Sequence, residues 1–318
     1  MTPTLVRQHV SHADSAPPRV DRCARARDWS EIQERMLVPL FDAVYDRLEV
    51  GPATRLLGLR CGSGLALLMA AARGAAVTGA DPAAPERLAL ARERLLPDAR
   101  RGRGGGARRG TRAGTPVTLL DGPPADAAGP GTAPYTLVTV FEPIGSLAGD
   151  FEGLGELLTG ALAPAAPGTA VVLTGWGPPE RCATSAVLRV ATRLADPLRS
   201  ARSWRPARRD DLEEVAGRAG LKPDGSGRVS CPFGYADLDS AVRGLLSTGL
   251  FDAAIAATDA KQVDKELAEA LHPHRRPDGT VWMPNVFRYL IARVPQGPSS
   301  GSCRAGGARS EPGPDAGP

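Results

Sequence analysis

The sequence predicts an α/β fold, a doubly wound Rossmann-like domain with a mostly parallel sheet, and three observations support this. Strand-like and amphipathic helical segments alternate over residues 55–97, and such βαβα alternation is typical of parallel sheets. A glycine-rich turn at residues 60–64 joins the first strand to the first of these helices. The chain has 318 residues and is 42% apolar, which is enough for one large α/β domain with insertions.

The N-terminal part of the chain divides into a polar segment and a helix. Residues 1–28 are polar and contain a pair of prolines, so we predict that they are disordered. Residues 29–48 place their apolar side chains on one helical stripe, which predicts a helix. The Gly51-Pro52 pair ends this helix.

The remaining segments continue the alternation to the end of a single predicted domain, residues 29–294. The helices within residues 236–272 are expected to cap the cleft at the sheet edge. The predicted strands span residues 55–59, 75–80, 117–120, 135–141, 169–174, 221–230 and 286–294. The predicted helices span residues 65–72, 82–96, 151–162, 181–194, 209–219, 238–246 and 261–271.

Two segments of biased composition interrupt or follow this pattern. Residues 98–116 include a run of 13 residues with six arginines and five glycines. Because this run cannot bury apolar surface, we predict a flexible insertion. Residues 295–318 are rich in proline, glycine and serine, which predicts a disordered tail.

The composition of the chain indicates which binding partners and which cellular compartment to expect. The net charge is +4, but only three of the 39 basic residues are lysines, which indicates a coding bias more than a nucleic-acid surface. No aromatic residue interleaves with the arginine run, so nucleic acid is disfavoured as a partner. The five cysteines are widely spaced, which excludes a C-x-x-C metal motif and favours a reducing, cytoplasmic location. No apolar run is long enough to cross a membrane.

The segment expected to carry chemistry is LLGLRCGSG, residues 56–64, together with Asp81. A strand, a glycine turn and a helix present backbone N–H groups at a helix N-terminus, where a ligand can approach because glycine has no Cβ. Asp81 follows Gly62 by 19 residues and ends the next strand, where an acid can accept both hydroxyls of a ribose. This pattern predicts an adenosine-cofactor site. Two structural alternatives remain: a tight turn at Gly62 and Gly64, and a helix N-cap at Asp81.

The segment resembles the first motif of class I S-adenosylmethionine-dependent methyltransferases of the bacterial small-molecule type. That motif is an apolar strand and an acid, followed by G-x-G-x-G. The segments WSEIQERMLVPLFDAVYDRL, TGAD with LALARERL, and YTLVTVFEPIGSL resemble other parts of the family. The resemblance covers about residues 29–97 and 117–175 and is looser over 205–294. It implies seven strands, mostly parallel, with an antiparallel last strand.

The resemblance also implies a site for S-adenosylmethionine and a small-molecule acceptor methylated on O, N or C. The ribose would lie on the acid after the second strand, the adenine beside the end of the third, and the methionine end over the glycine turn. Such catalysis rests on proximity and alignment, and no catalytic base stands out. The implied cofactor-binding residues are Leu59, Cys61, Gly62, Gly64, Asp81, Asp121, Gly122, Phe141 and Glu142.

Two positions depart from the family motif and keep other functions open. Gly58 stands in place of the usual acid, and Arg60 in place of the first glycine. We expect Arg60 to keep a negative φ and turn its side chain outward, since a positive φ would add strain and bulk. Arg60 also favours a non-catalytic binding protein of the same fold. A nucleotide-dependent oxidoreductase is disfavoured because the third small residue of G-x-G-x-x-G is missing, and only the arginine run supports an RNA methyltransferase.

Overall fold

The computed structural model describes residues 21–96, 108–112, 115–127, 133–145, 151, 153–163, 165–195 and 211–296. Within these ranges a large sheet lies between two layers of helices. The sequence predictions for residues 1–20 and 297–318 lie outside the described residues, as does most of the predicted insertion.

The large sheet has eight strands, and two further strands form a small antiparallel sheet of their own. The strand order is β3-β4-β2-β1-β5-β6-β10-β7, and β8 pairs with β9. The five adjacent strands β4, β2, β1, β5 and β6 are parallel to one another, whereas β10 is antiparallel to both β6 and β7. The strands are β1 (Arg55–Leu59), β2 (Ala76–Ala80), β3 (Arg108–Arg112), β4 (Thr115–Leu120), β5 (Tyr135–Ile144), β6 (Ala165–Trp176), β7 (Lys222–Ser230), β8 (Phe233–Tyr235), β9 (Val281–Met283) and β10 (Val286–Arg293).

The helices pack on both faces of the sheet, and none in the described ranges is long and apolar enough to cross a membrane. Between α1 and α2 the chain forms a π-helical turn, Trp29–Gln33, and a 3-10 turn, Glu34–Leu37. The α-helices are α1 (Arg22–Asp28), α2 (Val38–Arg47), α3 (Leu65–Ala72), α4 (Pro85–Leu95), α5 (Leu154–Leu162), α6 (Thr184–Ala195), α7 (Asp211–Arg218), α8 (Leu238–Leu246), α9 (Asp252–Ala257) and α10 (Ala260–Leu271).

Alternation along the strands divides the core between the two faces. In β1, Leu56 packs with the residues of α2, α3 and α4, whereas Leu57 packs with those of α5 and α7. Successive residues of a strand point to opposite sides of the sheet. Because helices cover both sides, the side chains of Leu56 and Leu57 are both buried. The predicted doubly wound fold, with its antiparallel last strand, is confirmed.

An eighth strand corrects the prediction for the arginine-rich insertion. Residues Arg108–Arg112 were expected to be loop, but they pair antiparallel with β4 at the edge of the sheet. An edge strand needs only backbone hydrogen bonds to one neighbour, so a segment without apolar residues can form it.

The prediction of disorder to residue 28 is wrong for residues 22–28, which form α1. The Asp21 carboxylate caps this helix by accepting the Ala24 N–H at 3.0 Å. Ala26 is buried, and Arg25 donates to the Asp252 carboxylate of α9 at 2.7 Å. The helix is therefore held by a cap and by contacts distant in sequence, which composition does not reveal.

The helical cap predicted at 236–272 corresponds to α8, α9 and α10. Its last helix buries one apolar stripe, Val263, Leu267 and Leu271. The two-stranded sheet of β8 and β9 was not predicted, because each strand has only three residues.

Candidate functional site

The turn after β1 has an unusual backbone. Arg60, Gly62 and Gly64 all have positive φ, at 47°, 57° and 78°. A Cβ on Gly62 would lie 3.0 Å from the indole Nε1 of Trp29, and one on Gly64 would lie 3.0 Å from the Cβ of Ala91. Both glycines are therefore required by conformation and by close packing.

Arg60 does not adopt the negative φ that we expected from the sequence. Its φ of 47° lies in the left-handed region, where a residue other than glycine is strained by roughly 1–3 kcal/mol. Its guanidinium reaches across to β5, where Nη1 lies 3.4 Å from the Glu142 carboxylate. The expectation about the backbone is wrong, and Arg60 lines the cleft instead of turning its side chain away from it.

Asp81 follows β2 and faces the turn. Its side chain is 4% exposed, and Oδ2 accepts the Gly62 N–H at 3.1 Å. Burial, and after it the nearby Glu142 carboxylate, raise the pKa of Asp81 to about 6. The N-cap position of α4 is Ala84 and no side chain caps the helix there, so a capping role for Asp81 is wrong.

A buried carboxylate that we did not predict, Glu34, holds the start of α3. It accepts the Ser63 N–H at 3.1 Å, the Leu65 N–H at 3.4 Å and the Ser63 hydroxyl. Arg94 of α4 donates to it at 2.8 Å and also to the Ser30 hydroxyl at 2.7 Å. Glu34 thus accepts the first N–H of α3, that of Leu65, and the Ser63 N–H just before the helix. The π turn shifts the helical register, so apolar spacing gave no signal for Glu34.

A narrow cleft of about 30 Å³ opens beside the turn. Arg87 crosses it: its guanidinium lies 4.1 Å above the Trp29 ring and 3.8 Å from Glu142. The same guanidinium donates to the backbone oxygen of Ser247 in the cap at 2.7 Å. Arg87 therefore ties α4 to the cap over the cleft.

The structure brings most of the predicted residues together. Five of them line the cleft: Leu59, Cys61, Gly62, Phe141 and Glu142. Phe141 packs against Phe41 and Tyr45, with ring centroids 4.7 and 5.5 Å away. Burial raises the pKa of the Cys61 thiol well above its usual value, which keeps the thiol protonated.

Four predicted residues are outside the cleft lining: Gly64 and Asp81, which lie at the turn itself, and Asp121 and Gly122, which follow β4 at the same sheet edge. Asp121 is exposed and pairs with Arg92 of α4. Gly122 lies against the Asp126 carboxylate. A role for Asp121 and Gly122 in holding an adenine stays a prediction.

No family model matches this sequence, and no curated protein matches it either. Solved structures of similar architecture include the YcgJ protein from Bacillus subtilis (14% identity, TM-score 0.47, 81% of this chain and 98% of that one). Another is an S-adenosylmethionine-dependent methyltransferase from Geobacter sulfurreducens in complex with S-adenosyl-L-homocysteine (16%, 0.43, 83% and 92%). A third is phosphoethanolamine N-methyltransferase 2 from Haemonchus contortus in complex with S-adenosyl-L-methionine (14%, 0.43, 85% and 57%). At these identities the likeness concerns backbone architecture alone.

Proposed function

We propose that this chain binds S-adenosylmethionine at the carboxyl edge of its sheet and transfers the methyl group to O, N or C of a small metabolite. One juxtaposition supports the proposal most strongly. The left-handed glycine turn at Gly62 lies against the buried Asp81 carboxylate, beside a cleft lined by aromatic rings. Open α/β sheets bind their ligands at this edge.

The side chains at this edge suit the chemistry of that cofactor. Asp81 offers a carboxylate for ribose hydroxyls. Phe141 with Phe41 presents aromatic surface, and Glu142 a carboxylate, both of which favour a cationic sulfur. When bound, the cofactor supplies a methyl group that its positive sulfur already activates. This chain's own residues then have to align the acceptor, exclude water with the aromatic cluster and hold the cap through Arg87.

A second candidate function is a non-catalytic binding protein of the same fold. Two observations favour it: the positive φ of Arg60, and the bulk of its side chain between the turn and Glu142. The Glu34 carboxylate also accepts two N–H groups at the start of α3. These features narrow the space over the turn, so binding and catalysis have to be tested separately.

The test of catalysis is a mass-shift screen. The full chain is incubated with metabolite extract and S-adenosylmethionine that carries a trideuterated methyl group, and products with the labelled increment are sought by mass spectrometry. The proposal predicts a labelled product that is lost with the Asp81→Ala variant. Cofactor binding without any labelled product would contradict the proposed methyl transfer and favour the binding protein.

A further inference from the structure

We infer that Trp29 is a ligand-binding residue, whose indole N–H donates to the carboxylate at the amino-acid end of the cofactor. The inference rests on the proposed function and assigns to that site a contact from the π-helical turn that precedes α2. It begins from an unsatisfied polar atom in the cleft wall.

Among the described residues, the Trp29 indole N–H has no hydrogen-bond partner. The residue is 7% exposed, and Nε1 is one of two buried side-chain polar atoms in the described residues without a partner. Buried polar atoms in folded proteins are nearly always paired, so an unpaired one calls for a partner that the chain does not supply.

This N–H lies next to the glycine turn. Nε1 lies 3.0 Å from the point that a Cβ on Gly62 would occupy, and Trp29 lines the cleft together with Arg60 and Phe141. The backbone around Trp29 is a π turn, closed by the Glu34 N–H bonding to the Trp29 carbonyl. Such turns occur frequently at functional sites.

The neighbouring carboxylate is already engaged by other donors. Glu34 also approaches the Gly62 position, with Oε1 3.1 Å from the same point. Its oxygens accept from the Ser63 N–H and hydroxyl, from the Leu65 N–H and from Arg94. The described residues therefore offer no acceptor for the Trp29 N–H, and a bound ligand would supply one.

The chemistry of the surroundings favours an anionic oxygen as that acceptor. An indole N–H can only donate, so its partner is an acceptor atom. The Arg87 guanidinium lies 4.1 Å from the centre of the Trp29 ring, over its face, and this nearby positive charge favours an anionic acceptor at the ring edge. Glu142 faces both Arg87 at 3.8 Å and Arg60 at 3.4 Å, and Asp81 is a second acid close to both arginines. A carboxylate beside the turn matches the N–H donor and the two arginines, Arg60 and Arg87, that line the cleft.

The experiment compares two variants and two ligands by titration calorimetry on the full chain. Trp29→Phe keeps an aromatic ring for Arg87 and removes the donor together with part of the indole ring, and the comparison of two ligands separates these two effects. The matched control is Trp282→Phe, since Trp282 is 39% exposed and lies in β9. The ligands are S-adenosylhomocysteine, which has the amino-acid carboxylate, and 5′-methylthioadenosine, which lacks it.

The expected result is selective. Trp29→Phe weakens S-adenosylhomocysteine binding by roughly tenfold or more and leaves methylthioadenosine binding unchanged. Trp282→Phe leaves both affinities at their wild-type values. Equal affinity of Trp29→Phe and wild type for S-adenosylhomocysteine would overturn the inference.

A second measurement uses the wild-type protein and does not depend on the variant folding. The ¹⁵N–¹H resonance of the Trp29 indole should shift when S-adenosylhomocysteine is added and stay in place with methylthioadenosine. An unmoved resonance at saturating S-adenosylhomocysteine overturns the inference. Failure of the wild type to bind S-adenosylhomocysteine at all is a different outcome, because it overturns the proposed function itself and this inference with it.

Discussion

At the scale of the residue, the site contains a turn that suits a ligand and an arginine that opposes ligand binding. Asp81 and Gly62 are joined by a hydrogen bond of 3.1 Å, which fixes the turn against the end of β2. Arg60 occupies a conformation that favours glycine, and its side chain lies beside Glu142. Arg60 is thus the residue at which the enzyme and the binding-protein alternatives diverge.

Arg60→Gly separates these alternatives. Glycine relieves the strain at a φ of 47° and removes the side chain from the cleft lining. We expect S-adenosylmethionine to bind roughly tenfold more tightly, which corresponds to about 1.4 kcal/mol in titration calorimetry. Weaker binding by the variant would show instead that the guanidinium contributes to the site.

Asp81 should also make stability depend on pH. Its pKa in the folded chain, about 6, is above the ordinary value of 3.8 because of burial and Glu142. The folded state therefore holds more protons than the unfolded state between these values, and stability decreases as the pH rises from about 4 to about 6. The shift corresponds to about 2–3 kcal/mol.

The check is a series of chemical denaturation curves of the wild type and of Asp81→Asn. The amide has the size of the carboxyl group but does not titrate. The free energy of unfolding of the wild type, relative to that of the variant, should fall over this pH range and level off above it. A constant difference would show that Asp81 has the same pKa in both states.

At the scale of the element, the start of α3 is held by the helical segment before α2. The buried Glu34 carboxylate accepts N–H groups from Ser63 and Leu65, and its partner Arg94 comes from α4. Three elements meet at one carboxylate, so its removal should loosen the turn that the cofactor would contact.

Glu34→Gln should destabilise the chain by roughly 3–5 kcal/mol, because it leaves Arg94 beside a neutral amide in a largely buried place. The control is Glu214→Gln, which breaks the exposed pair between Glu214 and Arg218 of α7 and should change stability by less than about 1 kcal/mol. Denaturation curves measure both. Equal small effects would show that the Glu34 network does not stabilise the fold.

The sequence predicted those elements whose signal is local. Apolar periodicity and the glycine turn were sufficient for β1, β2, α3 and α4, because each pattern lies within one short segment. The strand β3, the helix α1 and the Glu34 carboxylate were missed. Their stability comes from an edge pairing, an ion pair with Asp252 and a π turn, none of which leaves a pattern in the local sequence.

At the scale of the whole molecule, the order of strands brings the parts of the site to one edge. β1 lies between β2 and β5, so the glycine turn, Asp81 and Glu142 all follow or end adjacent parallel strands. The cap closes over that edge, with Arg87 bonded to Ser247. The fold therefore lines one cleft with segments that are far apart in sequence.

The most direct test of the proposed function is calorimetric titration of the full chain with S-adenosylmethionine, S-adenosylhomocysteine and NAD. We predict binding of the first two and not of NAD. Asp81→Ala should weaken binding by roughly 1.5–3 kcal/mol, the range for a charge-assisted hydrogen bond. Absence of binding to S-adenosylmethionine and S-adenosylhomocysteine by the wild type would contradict the proposed methyltransferase, and binding by Arg60→Gly alone would identify Arg60 as the obstruction.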